Sequence, residues 1–153
     1  AYAEATIKNA KALAAALDKT GFNVEGKEFG YTESHQVAVN VNNFGGGEKV
    51  SKTLEINDII LNMNMLPHEP LRNHDHPDGI RIGVQEMTRF GLGVEEMQQI
   101  AELIKKCIIG KQSVKEEVNE FRSQYQLVDY SYDGRQDEKP VPAADKKTFP
   151  QVI

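Results

Sequence analysis

The fold class these 153 residues predict is α+β: a small antiparallel or mixed sheet of three to four strands with helices on one face. Three observations carry that expectation. Two long segments repeat their apolar residues at helical spacing, and one segment alternates with a period of two. The remaining strand candidates are few, short and interspersed with helices.

In chain order, Ile7, Ala10, Leu13, Ala14 and Leu17 fall on one face of a helix over residues 3–18, with Gly21 as its terminator. Residues 22–25 read as a short strand and 26–34 as turns. Val37, Val39 and Val41 alternate with Ala38, Asn40 and Asn42, which predicts a half-buried strand over 36–42. Gly45, Gly46 and Gly47 precede a short helix carrying Val50, Leu54 and Ile56. Three glycines ahead of a helix invite a phosphate-loop reading. No Gly-Lys-Ser or Gly-Lys-Thr follows, however, and the Gly-x-Gly-x-x-Gly spacing is absent, so a packing role is expected.

Residues 59–62 and 80–84 read as two further strands. Val94, Met97, Ile100, Ala101, Ile104 and Ile108 make an amphipathic helix that ends near Gly110. Ser113 and Glu116 have capping-box spacing before a last helix, whose apolar stripe is Val114, Val118, Phe121 and Tyr125. Residues 1–126 are thus expected to form one domain. Residues 127–153, with Pro140, Pro142, Pro150 and a charged run, are expected to form an extended tail.

Composition bounds the function. The hydrophobic fraction of 39% and charged fraction of 27% are ordinary for a globular protein. A net charge of -5 leaves no basic excess to release counterions, which argues against nucleic acid or an anionic membrane as partner. The single cysteine, Cys107, excludes an internal disulfide and fits a reducing, cytoplasmic location. Its place in an amphipathic helix favours packing over reactivity. No apolar run approaches the roughly 20 residues that span a bilayer, and the start lacks the pattern of a signal peptide. The chain opens AYAEATIKNAK, already in helical pattern and without an initiator methionine, so it is expected to be part of something longer.

The stretch from Asn62 to Gly91 carries most of the chemistry. Arg81 stands among small and apolar residues in Gly-Ile-Arg-Ile-Gly, where a charge is costly unless it meets an anion. A guanidinium offers a rigid fork that matches a carboxylate through two parallel hydrogen bonds. The competing reading is an internal ion pair with Asp75, Asp78 or Glu86. His68, His74 and His76 lie in the preceding loop, where Asp75 and Asp78 add oxygen ligands. Pro67, Pro70 and Pro77 break any regular element there, so a solvated loop is expected rather than a metal site. His35 at a strand end is expected to be structural. Asn62 and Asn64 flank Met63, where two amides pair either with polar ring edges of a ligand or with the loop backbone. Thr88 and Arg89 are expected to play local capping and pairing roles. No nucleophile motif, Walker sequence or zinc knuckle is present.

The ordered runs NAKALAAALDKTGFNV, GYTESHQVAVNV, NMNMLPHEP and GIRIGVQEMTRFG resemble the C-terminal domain of serine hydroxymethyltransferase, over about residues 5–110. That family belongs to the fold type I enzymes, which use pyridoxal phosphate. The resemblance implies that residues 1–126 are the small domain and that Arg81 binds the substrate's α-carboxylate. It also implies that Asn64 lies near a reduced pterin, the one-carbon co-substrate. Met63 stands where the family has lysine, and Val84-Gln85-Glu86 where it has Thr-Pro-Ala. These departures imply a divergent member with a different carrier or amino acid.

The cofactor-holding lysine, on the same basis, lies in a large N-terminal domain, so this chain alone is expected to be inactive. The implied partners are that large domain, a second subunit in a homodimer, and a small amino-acid substrate. Two alternatives stay open. One is the small domain of another fold type I enzyme, an aldolase or aminotransferase. The other is a stand-alone carboxylate-binding or metal-binding module.

Overall fold

The computed structural model describes residues 1–70 and 74–130. Helix α1 (Tyr2–Lys19) leads into β1 (Asn23–Val24) and, after a 3-10 turn at Lys27–Phe29, β2 (Gln36–Asn40). A second 3-10 turn, Asn42–Phe44, precedes α2 (Gly46–Ile56), β3 (Asn62–Asn64) and β4 (Gly79–Gly83). Three helices follow: α3 (Gln85–Arg89), α4 (Val94–Ile108) and α5 (Lys115–Ser123). The four strands form one antiparallel sheet in the order β1-β2-β4-β3. The architecture is α+β.

Strand alternation assigns the two faces of the sheet. Val24, Val37, Val39, Ile80 and Ile82 turn to one side, where they join a single apolar core with Leu13 and Leu17 of α1, Leu54 of α2, and Met97 and Ile104 of α4. Helices α1 and α4 pack on each other over this face. Leu13, Leu17, Leu54, Ile80, Met97 and Ile104 are all fully buried there, as the helical and period-two patterns require.

Four local expectations need correction. The segment read as a strand over 59–62 pairs only from Asn62. Ile59 is buried because its N–H folds back on the Leu54 carbonyl at 3.0 Å, closing the end of α2. Strand β2 stops at Asn40: Val41 still donates across to the Asp78 carbonyl, but the chain then turns away into a 3-10 turn. The five-residue α3 was not anticipated, since it is too short to display a period. Ser113 and Glu116 form no capping box. Helix α5 starts at Lys115, and Asn57 of the distant α2 terminus supplies the acceptor instead. Its Oδ1 receives the Val114 N–H at 2.8 Å and the Ser113 hydroxyl at 3.3 Å.

That substitution of one cap for another has a measurable consequence. Asn57 is buried, so Asn57→Ala strands the Val114 N–H and is expected to lower stability by about 1–2 kcal/mol in urea unfolding. Next to it, Asp58 accepts hydrogen bonds from Asn119 at 2.9 Å and Lys115 at 3.1 Å. These partners hold its carboxyl below the usual Asp value, against the opposing effect of burial. A depressed folded-state value stabilises at neutral pH, and that stability is lost as pH falls through it. Asp58→Asn is therefore expected to flatten the acid limb of the stability profile below about pH 4, read by thermal melts across pH.

The chain beyond α5 stays attached as far as the structure describes it. The Asp129 N–H donates to the Arg89 carbonyl at 2.9 Å, and the Tyr130 ring lies 5.2 Å from that of Tyr2. The remainder of the expected tail, 131–153, lies outside the described residues. Among those that are described, no helix is long and apolar enough to cross a membrane.

Candidate functional site

The face of the sheet opposite the core is polar, and the strand register organises it in rows. Ala38, Arg81 and Asn62 are aligned across β2, β4 and β3. Asn23, Asn40, Gly79 and Asn64 form the next row, across all four strands. Glu25 extends the first row beyond β1, since its N–H donates to the Ala38 carbonyl at 2.9 Å. With strands about 4.8 Å apart, Glu25 and Arg81 flank Ala38, whose small side chain leaves the floor between them low.

Arg81 is half-buried, and among the described residues it makes no ion pair and no side-chain hydrogen bond. Two of the three acids near it in sequence are engaged elsewhere, and the third, Asp78, makes no ion pair with it. Asp75 lies 3.1 Å from His74, and Glu86 lies 4.0 Å from Arg89. Asp78 accepts from Val41 through its backbone. A partly desolvated guanidinium in this condition attracts an anion more strongly than a solvated one does.

Arg81, expected at the substrate carboxylate, and Asn64, expected near the pterin, lie on the same face, one row apart. Asn64 Nδ2 donates to the adjoining Met65 carbonyl, leaving its Oδ1 as the acceptor for other partners. Asn62 is exposed beside Arg81.

The histidines do not converge. His68 sits 3.9 Å from Glu25, His74 beside Asp75, and His76 3.2 Å from Glu48. Among the described residues no three potential ligands cluster. His35 is exposed and contributes its carbonyl to the Val84 N–H at 3.1 Å, a backbone role at the end of the ladder.

Thr88 does not cap α4. It lies buried inside α3, where its hydroxyl donates to the Val84 carbonyl and accepts from Asn9 Nδ2 at 2.9 Å. Among the described residues the Arg89 guanidinium pairs only with the local Glu86. Cys107 is buried, and burial pushes its thiol upward, away from reactivity. The glycine run does not form an anion cradle. The Gly46 and Gly47 N–H groups are taken by the Val41 and Pro77 carbonyls, at 3.1 and 2.8 Å.

Three contributors were not foreseen. Glu25 stood in a segment read only as a strand, and Glu69 in a proline-flanked loop read as solvated. Asn9 lies on the apolar face of α1 and bonds both Thr88 and the Leu92 carbonyl, at 2.7 Å. Its signal was available: a polar residue between Thr6 and Leu13 on a face otherwise turned to the core.

Comparison with known proteins decides the family. The family model for serine hydroxymethyltransferase matches residues 1–104. The chain belongs to the serine hydroxymethyltransferase family. Among curated relatives, the serine hydroxymethyltransferase of Metallosphaera sedula is 52% identical over 133 residues, covering 85% of this chain and 31% of its own length. That of Saccharolobus islandicus is 50% identical over 139 residues, covering 89% and 32%. That of Methanosphaera stadtmanae is 50% identical over 132 residues, covering 86% and 31%. This member of the family thus spans about a third of the length of the relatives it matches. A solved structure, L-threonine transaldolase from Pseudomonas fluorescens in its internal aldimine state, superposes with a TM-score of 0.70 at 29% identity. It covers 81% of this chain and 28% of its own.

Proposed function

We propose that this chain is the substrate-carboxylate-binding small domain of a pyridoxal-phosphate-dependent serine hydroxymethyltransferase, which interconverts serine and glycine with a reduced pterin as one-carbon carrier. The observation that carries the reading is Arg81. It is a half-buried guanidinium on an otherwise amide-rich face, and no carboxylate among the described residues pairs with it. Family membership adds the substrate class.

The donor set on this face fits an amino acid's α-carboxylate and the polar edge of a heterocycle. One fork-shaped cation binds the first, and Asn64 lies a row away for the second. Pyridoxal phosphate, when bound, supplies the electron sink for breaking a bond at Cα. In this reading its lysine and ring contacts belong to the large domain, and the chain alone is inactive. Arg81 contributes orientation: a carboxylate gripped at both oxygens fixes which Cα bond stands ready to break. The assembled enzyme is a cytoplasmic homodimer in the same reading.

A second reading has its own support. The transaldolase likeness favours a related enzyme that acts on β-hydroxy amino acids without a pterin. Assay of the full-length, cofactor-loaded protein with serine, in the presence and absence of reduced pterin, separates the two. Glycine formation that depends on the pterin is the expected result. Turnover indifferent to the pterin supports the second reading, and failure to bind serine or glycine removes both.

A further inference from the structure

The loop between β3 and β4 contains a carboxylate that neither the fold nor the proposed chemistry has so far required. Glu69 is 8% exposed, and among the described residues no cation pairs with it. An unpaired buried carboxylate is costly unless hydrogen bonds replace the lost water. Here both oxygens are occupied by backbone donors. Oε1 accepts the Leu66 N–H at 2.8 Å, and Oε2 accepts the Asp78 N–H at 3.0 Å.

The two donors lie on opposite stems of the loop. Leu66 is two residues beyond Asn64, and Asp78 is three residues before Arg81. The same stems also meet through side-chain packing. Gly79 is paired with Asn64, and a Cβ on Gly79 would come within 2.6 Å of Leu66 Cγ, so Leu66 is seated over that glycine. Leu66 is itself buried yet stands apart from the main core cluster. It therefore packs on the polar face, beside the site.

We propose that Glu69 is a positioning residue that sets the spacing between Asn64 and Arg81, and thereby between the pterin and carboxylate subsites. The proposal rests on the functional reading above. A carboxylate is suited to the task because it offers two acceptors on a rigid plane. Glutamine offers one acceptor and turns an N–H₂ against a backbone donor. Aspartate keeps both acceptors on a stem one methylene shorter and spans less.

The test uses the full-length, cofactor-loaded protein and reads serine KM, pterin KM, kcat and melting temperature. Glu69→Gln is expected to raise both KM values at least about fivefold. Arg81→Ala is expected to raise chiefly the serine KM, and Asn64→Ala chiefly the pterin KM. In the double variant Glu69→Gln with Arg81→Ala, the serine KM is expected to match that of Arg81→Ala alone, because the arginine through which Glu69 acts is gone. A lowered melting temperature with both KM values within twofold of the parent overturns the proposal and leaves Glu69 a loop staple only. So does full additivity in the double variant. If Glu69→Gln does not fold, Glu69→Asp is read by the same criteria, and loss of folding in both variants also overturns it. An unchanged serine KM in Arg81→Ala instead defeats the functional reading, independently of Glu69.

Discussion

Arg81→Lys in the full-length protein is expected to raise the amino-acid KM at least about tenfold, a loss of roughly 1.4 kcal/mol. Lysine keeps the charge, so the change isolates geometry. An ammonium on a flexible stem makes one directed contact where the guanidinium makes two in a plane. Ala38, which flanks Arg81 on β2, has no side-chain donor to make up the lost contact. The pterin KM should move far less. Steady-state kinetics with each substrate varied in turn checks both statements, and an unchanged amino-acid KM removes Arg81 from the site.

Gly47→Ala is expected to destabilise the domain by about 3 kcal/mol, toward the upper end of overpacking costs. Helix α2 begins against the strand that bears Arg81, and the approach is backbone to backbone. A Cβ at position 47 would stand 2.2 Å from the Gly79 carbonyl oxygen and 2.9 Å from that of Pro77. Neither neighbour is a flexible side-chain end, so α2 or the start of β4 has to shift. Such a shift would also break the bond from the Gly47 N–H to the Pro77 carbonyl. Urea unfolding of Gly47→Ala measures the cost. A loss below about 1 kcal/mol would show that the junction is looser than its geometry implies.

Much of this fold was legible because its elements obey their periods. The faces of α1 and α4, and the alternation Val37-Ala38-Val39, report burial directly through residue spacing. Legibility fails where a long-range partner replaces a local one. Ser113 and Glu116 have capping spacing, yet Asn57 caps α5 from 57 residues away in sequence. Ile59 is apolar, as a strand residue would be, but its burial serves the end of α2.

The site divides in the same way. Arg81 stood out because a cation in an apolar strand is an energetic anomaly visible in one dimension. Glu25 and Glu69 did not, because acids in turn-rich segments are common on solvated surfaces. Only the register that brings Glu25 level with Ala38, and the two backbone donors that enclose Glu69, distinguish them.

The central claim is that the Arg81 guanidinium is held ready for the carboxylate of a small amino acid. The most direct measurement compares kcat/KM for serine and for serinamide, which differs only at that group, in the full-length protein and in Arg81→Ala. The full-length protein is expected to prefer serine strongly, and that preference to collapse by about tenfold or more in the variant. A preference that survives the loss of Arg81 undiminished would contradict it.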